Sequence, residues 1–121
     1  APGFGFSPTG ASWLPQPPEF AEYAADAQAG VPGSTLELYR TALRVRRAYR
    51  LGRGRLAWVS PVRSPVLAFD ISGLRVMVNL NSAHAVLPDG WSVLCQSGPL
   101  APDGQLPVDT AVWLTPSQPC G

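Results

Sequence analysis

Hydrophobic positions change their period along the chain, and the change divides it. Between Glu19 and Gln28 the apolar positions Phe20, Tyr23, Ala24 and Ala27 recur at spacings of three and four, which predicts a short helix stopped by Gly30, Pro32 and Gly33. A longer stripe follows: Leu36, Leu38, Tyr39, Ala42, Leu43, Val45 and Tyr49 predict one long helix from Ser34 to Leu51, ended by Gly52 and Gly54. Its start carries a capping box, Ser34-Thr35-Leu36-Glu37. There the Ser34 hydroxyl is expected to accept the Glu37 N–H while the Glu37 carboxylate accepts the Ser34 N–H.

Beyond Gly54 the period shortens. Runs at 55–59, 66–71, 74–80, 85–87, 91–96 and 110–114 are short, apolar or alternating, and turn signals separate them. Ser72-Gly73 and Asp89-Gly90 have the length and composition of two-residue hairpins. The expected fold is therefore mainly β: an antiparallel β-sandwich of about six strands, preceded by a Pro/Gly-rich loop, a short helix and one long helix. Residues 1–18 supply that loop. Proline and glycine forbid a regular element there, yet Phe4, Phe6, Trp13 and Leu14 are too apolar for a free linker, so the loop should be packed against a surface.

With 121 residues and 45% hydrophobic content, the chain suits a single ordinary domain, or a small one with an appendage. It opens on Ala1-Pro2-Gly3, and the expectation is a processed product or a piece of a longer polypeptide. Net charge is +1, which points to neither nucleic acid nor membrane, and no apolar run reaches the roughly 18 residues of a membrane span. Charge is nevertheless segregated. Residues 1–39 hold Glu19, Glu22, Asp26 and Glu37 and no base, whereas 40–55 hold Arg40, Arg44, Arg46, Arg47, Arg50, Arg53 and Arg55 and no acid. Without a recognition-helix or RNA-binding motif, these arginines read as a solvated helix face. Their expected partners are carboxylates of the acidic segment or of a neighbouring domain.

Candidate chemistry is sparse. Hydrolysis of glycosides with retention needs two carboxylates about 5 Å apart, and no pair of acids here has a spacing that forces convergence. His84, in an Asn-Ser-Ala-His turn, reads as a solvated loop residue. Phosphate-loop, dinucleotide, HExxH and GxSxG motifs are absent. Cys95 and Cys120 match no metal spacing: Cys95 reads as a small core residue, with a disulfide to Cys120 as the alternative. Trp58 and Trp113 lie in apolar runs and are expected in the core, Trp91 follows a turn, and Trp13 stands in the proline-rich loop. No catalytic residue, cofactor-binding residue or metal ligand is assigned.

The order of the segments carries more than any one of them. A GF…WLPQP loop is followed by PGSTLELYRTALRVRR, then RLAWV, VLAF, VMVNL and a closing LPVDTAVWL. This series, from about Gly3 to Leu114, resembles the C-terminal end of bacterial α-glucosidases of the oligo-1,6-glucosidase type, in glycoside hydrolase family 13, the α-amylase family. The resemblance implies three parts: 1–33 as loop and short helix from the end of a (β/α)8 barrel, 34–53 as the last barrel helix, and 55–121 as β-sandwich domain C. It implies an intracellular, cytoplasmic parent hydrolysing terminal α-linked glucose with retention, whose catalytic carboxylates all lie upstream, so that this chain alone is not catalytic. The implied partner is the upstream barrel. With that barrel absent, the exposed helix and N-terminal loop are expected to fold against the sandwich or against a second copy. In the resemblance Asn79 and Asn81 fall at a strand end, where a structural hydrogen-bonding role is expected, and Gly5 to Trp13 would approach sugar in the parent. The alternative function is a stand-alone carbohydrate-binding β module using surface tryptophans.

Overall fold

The computed structural model describes residues 2–61 and 63–118. Two compact units divide the chain, Ala1–Arg40 and Thr41–Gly121, the division falling within the long helix.

In the first unit, Pro2–Gly5 forms a tight turn with left-handed backbone at Gly3 and Phe4 (φ 56° and 55°), and the short helix expected over 19–28 is split into two single turns, α1 (Phe20–Tyr23) and α2 (Ala25–Gln28). Between them Ala24 is extended (φ −65°, ψ 145°), and its carbonyl accepts the N–H groups of Ala27 and Gln28. The long helix α3 spans Thr35–Ala48. Ser34 caps it as its sequence predicts, Oγ accepting the Glu37 N–H at 3.3 Å. The reciprocal half of the box is rearranged. The Ser34 N–H goes to the Val31 carbonyl, and Glu37 Oε1 instead accepts the Gly30 N–H at 3.0 Å and the Arg40 guanidinium at 2.8 Å. Gln28 completes the junction, its Oε1 accepting the Leu36 N–H while its carbonyl accepts the Ser34 hydroxyl. The helix stops before the glycines: Arg50 takes a left-handed conformation (φ 53°), and a 3₁₀ turn, Leu51–Arg53, follows.

The second unit is built on one antiparallel sheet of five strands: β1 (Ala57–Trp58), β2 (Val66–Ile71), β3 (Leu74–Asn79), β4 (Trp91–Gln96) and β5 (Thr110–Pro116). Their order is β1-β2-β3-β5-β4, so β5 inserts between β3 and β4. The β2–β3 hairpin follows from its turn. Ser72 and Gly73 both have positive φ (50° and 79°), the twist that a two-residue connection requires. Asp89-Gly90 makes no hairpin, because β4 pairs with β5 and the 85–87 run does not pair with β4. That sixth run reduces to an isolated bridge, Ala85 with Leu106, closed by two hydrogen bonds of 2.9 and 2.8 Å.

Alternation along the strands sorts side chains to two faces. On one, Ala68, Met77, Val112 and Leu114 form the core with Leu106, and Ala85, Leu87 and Leu100 pack against it from the connecting loops. These loops supply the second layer of a sandwich-like domain. On the other face Leu74 and Val76 are buried, and the segment after α3 holds to this side. The hydroxyls of Tyr49 and Thr115 lie 3.0 Å apart, and Gly54 approaches so closely that a Cβ there would sit 2.7 Å from Ile71 Cγ1.

Candidate functional site

On its core-bearing face the sheet unit brings Asp70, Arg75 and Trp91 together. The two-residue turn sets Asp70 opposite Arg75, and the guanidinium grips the carboxylate with two bonds: Nε to Oδ1 at 2.7 Å and Nη2 to Oδ2 at 3.0 Å. Arg75 then reaches across β5 and stacks over the Trp91 ring, 4.3 Å from its centroid. The hydrogen bonds from Arg75 hold the Asp70 carboxyl below the usual carboxylate range, against the opposing effect of burial, and hold the guanidinium's own value above its usual one. Beside this ladder an open cleft of about 400 Å³ is floored by Ala68 and Met77 and walled by Val59, Arg75 and the 86–89 loop.

The arrangement braces the sheet across β5. Both Asp70 oxygens are committed to Arg75, so neither is a free base or nucleophile, and the cation stacked on Trp91 occupies a face that a sugar ring would need. Sequence reasoning passed over this ladder. Half of it was legible, since Asp70 and Arg75 flank Ser72-Gly73 symmetrically; Trp91 was not, since it comes from a strand two places away in the sheet.

Asn79 is fully buried. Its Nδ2 donates to the Ala83 and Leu106 carbonyls at 2.9 Å each, and its Oδ1 accepts the Asn81 N–H at 2.9 Å, tying the end of β3 to both covering loops. Asn81 Oδ1 in turn accepts the Ser82 N–H. Both asparagines thus have structural hydrogen-bonding roles.

The other sequence candidates do not converge on this cleft. His84 is exposed just after the bend at 81–83, and Gly5 to Trp13 belongs to the first unit, where Trp13 is 95% exposed. Trp58, expected in the core, is 62% exposed. Its strand is only two residues long and lies at the sheet edge, so its ring has a neighbour on one side, meeting Phe69 edge-on at 5.5 Å. Trp113 is half-buried on the face opposite the core. Cys95 is half-buried in β4, where burial pushes its thiol up; Cys120, and with it the disulfide alternative, lies outside the described residues.

Models of known protein families give no match to the chain, and curated protein sequences give none either. Among the described residues, no three of His, Cys, Asp and Glu come together as a metal-ligand group, and no helix is long and apolar enough to cross a membrane. The arginines at 44, 46, 47, 50, 53 and 55 are all exposed; Arg40 alone of the cluster meets a carboxylate among the described residues, that of Glu37 in the acidic segment.

Proposed function

We propose that the chain is the non-catalytic C-terminal region of a cytoplasmic α-glucosidase of glycoside hydrolase family 13, an enzyme that releases terminal α-linked glucose from oligosaccharides. Its role is to support the catalytic barrel. The observation carrying this reading is the ordered series of segments from the GF…WLPQP loop through the capped arginine-rich helix to the closing VDTAVWL strand. Two structural features support it. Helix α3 has an apolar stripe yet no fully buried residue, as expected of a helix whose packing surface lies elsewhere in a larger protein. The aromatic side chains of Phe6 and Trp13 are likewise exposed in a loop whose composition calls for packing.

Reading the gene 5′ of the Ala1 codon tests the proposal. The expected result is a continuous frame of roughly 400 residues with alternating strand and helix patterns. A stop codon just ahead of Ala1 would refute it.

The exposed indole of Trp58 favours a second reading, a carbohydrate-binding β module. Titrating the chain with a glucan while following tryptophan fluorescence separates the two. Saturable quenching supports the module, and no change at millimolar glucan supports the support-domain reading.

A further inference from the structure

Two surfaces of this chain are complementary, one on each unit, and among the described residues neither forms ion pairs within its own unit. On the second unit, Leu43, Arg46 and Arg47 recur at spacings of three and four along one face of α3, and Arg50 follows two residues past its end; all are exposed, Leu43 by half its surface. Arg44, Arg53 and Arg55 extend the charge, and among the described residues of the second unit none of these six arginines meets a carboxylate. On the first unit, α1 presents the reverse. Glu19 and Glu22 are exposed, with no arginine partner among the described residues of their own unit, beside the exposed rings of Phe20 and Tyr23.

We propose that the Leu43–Arg50 face is an interface between copies of this chain, receiving the Glu19–Tyr23 turn of its neighbour. A phosphate polymer would satisfy the arginines, but it would leave Leu43 in water and would be repelled by the acidic segment. The Glu19–Tyr23 turn offers both carboxylates for the arginines and rings for Leu43, which is the apolar centre and charged rim of a protein interface. The contact uses only surfaces of the chain itself and so goes beyond the reading proposed above.

Sedimentation of the whole chain tests it at roughly 0.1 mM, a concentration that populates complexes of micromolar affinity. At about 30 mM salt the mean mass rises above the 12.8 kDa of one chain, and at about 0.5 M, where exposed charges are screened, it returns to that value. Arg46→Glu with Arg50→Glu abolishes association, as does Glu19→Arg with Glu22→Arg. Mixing the two charge-reversed chains restores it, which global unfolding of either variant would not allow. A monomer at low salt, association that survives either reversal, or a mixture that stays monomeric overturns the proposal. So does binding to duplex DNA by a chain that does not self-associate.

Discussion

Removing the Asn79 side chain is the sharpest test of how the second unit is held together. Asn79→Ala deletes three hydrogen bonds from a fully buried position. Their partners are not stranded equally. The Leu106 carbonyl keeps the Ala85 N–H at 2.9 Å, and Ala83 is exposed, so its carbonyl turns to water. Only the Asn81 N–H loses an acceptor beneath the loop. Taking about 0.5–1 kcal/mol for each bond and about 1 kcal/mol for the cavity, the loss is about 3 kcal/mol. For a unit of this size that lowers Tm by roughly 12–24 °C. Thermal unfolding followed by tryptophan fluorescence measures it. Asn79→Asp sharpens the test, since it keeps the shape and the Asn81 bond but turns an oxygen toward two carbonyls. Those carbonyls raise its folded pKa, because only the protonated acid can donate to them. Its stability is then fullest below the ordinary aspartate range and falls as pH rises through the raised folded value. An alanine variant within about 2 °C of the parent, or an aspartate variant equally stable at pH about 4 and 7, would refute the reasoning.

Other perturbations probe separate contacts. Gly54→Ala drives a methyl against Ile71 and Ser72, and because Ile71 is packed in the sheet the expected cost is about 1–3 kcal/mol, read from the urea midpoint; an unchanged midpoint shows that the segment lifts away freely. Asp70→Asn should weaken the domain only above the carboxylate range. The Arg75 pair lowers the folded pKa of Asp70, so its contribution is present at neutral pH and fades as pH falls through that lowered value. Solvent screening keeps it near ~0.5 kcal/mol, and a variant with a Tm deficit equal at neutral and strongly acid pH contradicts the assignment. Ser34→Ala removes the α3 cap for about 1 kcal/mol, visible as lost helical circular dichroism on mild heating, whereas Thr35→Ala should cost less than half of that.

Much of the architecture was local enough to read directly. Ser34 starts α3 because its hydroxyl serves an N–H three residues on, and Ser72-Gly73 forms a hairpin because both residues accept positive φ. The run from Thr110 to Leu114 was legible as a strand, but not which of its faces is buried: Trp113 was expected in the core, and Val112 and Leu114 occupy it instead.

What escaped the sequence depends on pairings between distant segments. Inserting β5 between β3 and β4 is a nonlocal choice, and it turns the expected Asp89-Gly90 hairpin into a simple turn by giving β4 another partner. The same choice carries Trp91 to Arg75 and draws Ala85 to Leu106. Trp58 shows the limit most plainly: its apolar run predicts burial, but a strand of two residues at the edge has no second neighbour to cover its ring. Helix α3, the strands at 66–71, 74–79, 91–96 and 110–116 and the Ser72-Gly73 turn were legible in the chain because those preferences act over a few residues, whereas the 19–28 helix and the 85–87 run were overread. Strand order, and with it which side chains lie in the cleft, was not legible, because that choice is set by the apolar surface the whole sheet can bury at once.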